Sequence, residues 1–224
     1  MTDGLNKILK KNIMKKLIFY LLLLLPCCCM AQIGIKAGLN FANVSNASSI
    51  SNSSRTGFHA GIFLSPASQK VLGFRTEIIY SQQGYDYKSG ATTGNVKLDY
   101  IMSANLTTIN ITRYFQIQLG FQMAYLLNAK VDSSNMIQGL PGSYSKILDF
   151  YNRFDYGAAG GIEVHPAGGL LIGARVNISF SKLYKDAETG QSVSFSGMDA
   201  KNNLFQLFAG WRFGLKKKSA EKKE

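Results

Sequence analysis

The sequence predicts an all-β fold: an eight-stranded antiparallel up-and-down transmembrane β-barrel. Three observations carry that expectation. Two-faced stretches recur along the chain, and FQIQLGFQMAYLLN (115–128) is the clearest of them. Its odd positions are bulky and apolar, from Phe115 to Leu127, while Gln116, Gln118, Gly120, Gln122 and Ala124 take the other face, with Leu126 the lone exception. Side chains alternate across a strand, so this pattern is a strand with two unlike faces. The connections between such stretches alternate between short and long, and the face opposite the bulky one is rich in glycine.

The first strand, 33–43, sets Ile33, Ile35, Leu39 and Phe41 against Gly34, Lys36, Gly38 and Asn40. The second, 56–64, sets Phe58, Ile62 and Leu64 against Gly57, His59 and Gly61. In the third, 72–84, and the fourth, 96–109, parity assigns Arg75, Glu77, Lys97 and Asp99 to the inner face. The fifth is 115–129. The sixth, 150–165, places Arg153, Asp155, Gly157, Gly161 and Glu163 inward. The seventh, 169–182, shows Leu170, Ile172, Val176, Ile178 and Phe180 against Gly173, Arg175 and Asn177. The eighth, 202–213, sets Phe205, Leu207, Trp211 and Phe213 against Gln206, Gly210 and Arg212. The short connections are SPASQKV, the turn at 112–114 and HPAGG. The long ones are VSNASSISNSSR, DYKSGATTG, the segment 130–149 and YKDAETGQSVSFSGMDAK, all rich in polar residues. Strict alternation of this kind, with an even strand count, is the loop pattern of bacterial outer-membrane barrels.

The facing follows from residue size. A water-exposed sheet surface gains nothing from so many glycines, which weaken strands. The interior of a narrow eight-stranded barrel has room for few large side chains. A lipocalin-like soluble barrel would turn its bulky side inward around a ligand, but here that side is too continuous and its opposite too small. Lipid is therefore expected outside and a polar lumen inside. Trp211, Phe213, Tyr114 and Phe115 at one end, with Tyr100, Tyr125 and Tyr156 toward the other, fit aromatic girdles.

Residues 1–31 are expected to be a signal peptide. Met14-Lys15-Lys16 supplies a basic start, LIFYLLLLLP a short apolar core, and CCCMAQ a small-residue exit. Cleavage after Ala31 would leave Gln32 first, with Met14 as a second candidate start. The apolar run is shorter than the roughly 20 residues of a membrane-spanning helix. Cys27, Cys28 and Cys29 are the only cysteines. Adjacent thiols cannot surround a tetrahedral ion, and Pro26 or another Cys stands where a lipobox needs a small residue. Removal with the leader is the stronger reading. The net charge of +12 is concentrated in the leader and in a basic tail, 215–224. The body (32–214) has no basic cluster interleaved with aromatics, so no nucleic-acid partner is expected.

The segments AQIGIKAGLNFANVS, TGFHAGIFL, GFRTEIIYSQQGY and FQLFAGWRFG resemble the outer-membrane β-barrel domain family of Bacteroidetes, the "porin family" or PorT-like proteins. The resemblance spans residues 32–214. It implies the bacterial outer membrane, outer-membrane lipid as surroundings, and handling by the barrel-assembly machinery. Gly210, Phe213 and Leu215 fit the spacing of the assembly signal on the last strand, although Phe208 replaces its usual polar residue and the chain continues beyond it. Two roles follow from here. One is a structural or surface-binding barrel working through its external loops. The other, allowed by the PorT-like resemblance, is an accessory component of a secretion or transport assembly with secretion-system proteins as partners.

The inward set Lys36, His59, Arg75, Glu77, Lys97, Asp99, Arg153, Asp155, Glu163, Arg175 and Arg212 is expected to form a structural network plugging the lumen, since unpaired charge there is costly. A lipid-modifying enzyme is the weakest reading. It would need a Ser-His-acid set, and only His59 and His165 are present. No cofactor is expected, because no phosphate loop, metal-ligand spacing or dinucleotide fingerprint occurs. The eight-strand topology also implies that both chain ends lie in the periplasm and the long loops outside the cell.

Overall fold

The computed structural model describes residues 31–45, 51–66, 71–89, 92–133, 148, 150–185 and 199–214. Eight strands follow in order: β1 (Ala31–Ser45), β2 (Ser51–Pro66), β3 (Leu72–Ser89), β4 (Thr92–Asn110), β5 (Phe115–Ser133), β6 (Phe154–Val164), β7 (Leu170–Ser179) and β8 (Lys201–Arg212). Each pairs antiparallel with its neighbour in sequence, and β1 closes on β8. Closure matters because hydrocarbon offers no water to an unpaired N–H or C=O. The up-and-down barrel is the architecture that the alternation predicted.

The wall is uneven in height. β3, β4 and β5 have 18, 19 and 19 residues, whereas β6, β7 and β8 have 11, 10 and 12. About ten residues of tilted strand cross a bilayer. The longer strands therefore rise well past that span at the rim carrying the long connections. This corrects one expected loop. DYKSGATTG is mostly ladder, with β3 and β4 paired as far as Ser89↔Thr92. Its Ser, Thr and Gly content marked contact with water, not loss of pairing, since a ladder uses only backbone groups. Ser51–Arg55 likewise belongs to β2 rather than to the preceding loop. At the other side β6 begins at Phe154, later than expected, and Tyr151 instead makes an isolated bridge with Tyr184. The leader through residue 30, the centres of the long connections at 48, 91, 136 and 190, and the tail from 215 lie outside the described residues.

Bulky apolar side chains ring the outside. Ile35, Leu119 and Ile172 are each about half exposed, at 49%, 53% and 46%. Trp211, Phe213 and Tyr114 are exposed near the short-turn rim, and Tyr125 and Tyr156 face outward farther up. Tyr100 does not join them, because it is buried inside. The reason lies in β4, whose facing is opposite to the expected one. Val96, Leu98, Tyr100, Met102 and Leu106 are buried, while Lys97 and Asp99 sit on the outer parity and are half-buried. Asp99 accepts long hydrogen bonds from Gln82 and Asn128, on the outer sides of β3 and β5 (both 3.4 Å). Above the hydrocarbon the outer wall meets water, so charge is cheap outside and the apolar parity turns in. A register shift at Asp99/Tyr100 leaves Leu127 as the extra residue on β5; such a bulge lets both Leu126 and Ala129 point inward.

Two inner glycines serve the aromatic rings beside them. Gly34 lies opposite Phe63, and Gly173 opposite Phe208. A Cβ at either glycine would stand 2.0 Å or 2.5 Å from the neighbouring ring. Gly84 is different, since its φ of +135° is a conformation side-chain-bearing residues rarely adopt.

Candidate functional site

Among the described residues, the strands converge functional side chains in the lumen, which has two chemically distinct halves. Toward the short-turn rim lies an ionic network. Glu77 on β3 takes a two-pronged pair from Arg175 on β7, at 2.7 and 2.9 Å, and a third contact from Lys36 Nζ on β1 at 3.0 Å. Arg75 on β3 makes the same fork with Glu163 on β6, at 2.6 and 2.8 Å. Gln118 on β5 ties the two forks together: its Oε1 accepts from Arg175 at 2.6 Å and its Nε2 donates to Glu163 at 2.9 Å. His165 Nε2 contacts Glu163 at 2.6 Å, and Arg212 stands 3.9 Å from the same carboxylate. The planar guanidinium matches a carboxylate in two parallel bonds, which fixes orientation as well as charge.

Four basic side chains, Lys36, Arg75, Arg175 and Arg212, thus surround two carboxylates. Aromatic faces take up part of the surplus. Lys36 Nζ lies 3.7 Å from the centre of the Phe208 ring, Arg175 lies 5.4 Å from it, and Arg75 lies 4.6 Å from Phe63. This explains a phenyl ring at 208, where the assembly signal usually carries a polar residue: the side chain is buried against two cations.

Above this level sits a hydrogen-bonded layer made mostly of uncharged side chains. Asn40 donates to Ser81 at 3.0 Å and accepts from Gln206 at 3.0 Å, and His59 Nδ1 meets its Oδ1 at 2.8 Å. Asn177 continues the chain to Gln206, and the His59 ring packs edge-on to Phe208. On the β6–β7 side, Asp155 accepts from Ser179 at 2.7 Å and Ser181 at 2.5 Å.

The upper half is mainly apolar, with buried Asn202 donating to Gln83 among the hydrophobic side chains. Leu98, Tyr100, Met102 and Leu126 are fully buried and cluster with Tyr85, Tyr151, Leu183, Tyr184 and Leu204. The Tyr85 and Tyr184 hydroxyls are hydrogen-bonded to each other, and the Tyr151 and Tyr184 rings lie 5.2 Å apart. Burial pushes the Tyr151 and Tyr184 hydroxyls above the usual phenol range, so both stay neutral.

The structure therefore brings Lys36, His59, Arg75, Glu77, Asp155, Glu163 and Arg175 into the lumen, with Arg212 at its short-turn edge. It does not bring in three residues expected there. Lys97 and Asp99 stand on the outer face of β4. Arg153 shares parity with Asp155 but precedes β6, so its side chain is exposed at the rim. The expectation of a polar lumen holds for the lower half only. His165 opens the short HPAGG connection, yet it lies two positions from Glu163 on the same face, a spacing that signals contact. The bridging role of Gln118 had a weaker signal, the run of Gln on one parity of β5. Of the assembly-signal positions, Gly210 lies in β8 with no room for a Cβ beside Ile35 O (2.5 Å), and Phe213 is exposed and bonded through its N–H to Ile33 O. Leu215 lies outside the described residues.

A closed barrel with a bulky apolar exterior and a bonded interior defines an integral β-barrel membrane protein. Residues 29–185 match the model of the outer membrane protein beta-barrel domain family, and the chain belongs to that family, a family of the bacterial outer membrane. Among solved structures it is similar to Ail, the attachment invasion locus protein of Yersinia pestis, with 15% identity and a TM-score of 0.46 over 82% of this chain and 99% of that one. It is similar to Neisserial surface protein A at 18% identity, TM-score 0.46, over 82% and 99%. OprG of Pseudomonas aeruginosa gives 14% identity and a TM-score of 0.41 over 82% and 96%. No curated protein matches the chain.

Proposed function

We propose that this outer-membrane barrel is a surface-binding protein whose lumen is a structural plug, with its working parts at the rim of long connections. The observation carrying this reading is the double filling of the lumen. Two Arg–Glu forks cross the lower half and an aromatic cluster occupies the upper half. Side chains committed to one another in this way are not available to conduct solutes or to turn over a substrate. Both histidines have structural partners, Asn40 for His59 and Glu163 for His165, which supports a non-enzymatic role. The tall β3–β5 wall rises past the membrane span at the rim of long connections, as a binding platform needs.

In this reading the short turns and both chain ends face the periplasm. Protease added to intact cells should cut within 46–50, 134–147 or 186–198 and spare a tag placed after Glu224. Native membranes solubilised gently should yield the barrel free of secretion components. A stable complex with such components, of the kind PorT-like proteins imply, would replace surface binding with the accessory role. A tag labelled on intact cells would invert the barrel.

A further inference from the structure

The outer face of β4 breaks the apolar girdle. Ser103, Asn105 and Thr107 point outward in succession, and Asn105 accepts a hydrogen bond from Thr76 on β3 at 3.1 Å. The flanking strands present Phe74 and Ile78 on one side and Leu119 and Phe121 on the other, all about half exposed. Register puts these at the same height: Thr107 pairs with Phe74 and Leu119, Asn105 with Thr76 and Phe121, and Ser103 with Ile78 and Met123. The polar stripe thus lies within the hydrocarbon band. Lipid tails cannot bond a hydroxyl or an amide, so a stripe facing lipid is unfavourable, and polar residues at that depth serve as contacts between membrane segments.

We infer that β4 is the contact surface for a second copy of this chain. The stripe fits that occupant by symmetry. Two barrels in one membrane share the same orientation, so a pair is related by a two-fold axis along the membrane normal. Such an axis opposes residues of equal depth, and two tilted β4 strands cross with Asn105 meeting Asn105. An amide both donates and accepts, so at the crossing Asn105 meets a complementary copy of itself, with the Ser103 and Thr107 hydroxyls flanking that point. The stripe carries no charge, and same-to-same contact therefore meets no repulsion.

The test uses the full chain in native membranes. The only cysteines are Cys27, Cys28 and Cys29, so the unchanged chain serves as background. Oxidation of membranes carrying Asn105→Cys should give a disulfide-linked species of twice the chain mass, which Ala158→Cys on the outer face of β6 does not give. In discs cut from native membranes with a styrene–maleic acid polymer, the unchanged chain should size as a dimer. Asn105→Leu should weaken the pairing about tenfold, while its heat-dependent gel mobility reports a folded barrel. Monomeric discs with no crosslink from Asn105→Cys would leave the stripe to lipid and overturn the inference. A disc holding one copy with a different protein would overturn it as well.

Discussion

The inner face of β5 passes through both halves of the lumen, and its residues change character on the way. Gln116, Gln118 and Gln122 line the half near the short turns, and Ala124, Leu126 and Ala129 the half near the long connections. The lower half is closed by directional bonds among β1, β3, β5, β6 and β7. The upper half is closed mainly by non-directional packing, like the core of a water-soluble protein, with only a few hydrogen bonds such as Tyr85–Tyr184. The difference follows from what each half must specify. Where the outer face meets lipid, burial drives nothing inward, and forks such as Arg75–Glu163 fix which strands stand opposite. Where the wall rises into water, burying apolar side chains inside it is favourable again, so the lumen acquires an ordinary hydrophobic core.

Breaking each half in turn should show the contrast. The largest effect belongs to Glu77→Ala, which strands Lys36 and Arg175 without their carboxylate. Removing one partner of a buried pair costs about 3–5 kcal/mol, read as a loss of stability in guanidinium unfolding from lipid vesicles. Leu98→Ala in the upper half removes packing but strands no charge, and should cost about 3 kcal/mol by the same measurement. Tyr184→Phe deletes only the hydroxyl bonded to Tyr85, for about 1 kcal/mol. The smallest effect sharpens the division: Glu77 and Leu98 share no partner, so the two alanine changes together should sum to within about 0.5 kcal/mol. A larger interaction energy would mean that the halves form one cooperative core.

Most of the wall was legible in the sequence because a two-residue period and bulky outer positions such as Ile33, Ile62 and Ile172 state strand and facing together. β4 was not, because polar residues take most of its outer parity, at Lys97 and Asp99 above the hydrocarbon and at Ser103, Asn105 and Thr107 within it. Lys97 and Asp99 suggest a polar lumen to a rule written for the membrane span, yet they stand beyond that span, where the rule reverses. Leu126, the single exception in its stretch, was the visible trace of the apolar upper chamber. The lumen cations and carboxylates were legible as a set, but not their partners. Parity alone cannot say that Glu77 takes its two-pronged bond from Arg175 and only a longer contact, 3.8 Å, from Arg75, since that choice is fixed by strand stagger across the barrel. Arg153 failed for a simpler reason: parity continues past a strand's end, and the strand does not.

In the proposed role the lumen is sealed at two levels by side chains committed to each other. Single-channel recording of the purified full-length protein in a planar bilayer tests it most directly. The unchanged barrel should show no steady conductance, because the Arg75–Glu163 and Arg175–Glu77 forks cross the lower half and the Tyr85–Tyr184 cluster fills the upper one. Large, reproducible channels from the unchanged protein would contradict the account and recast the same arginines and glutamates as the lining of a pore.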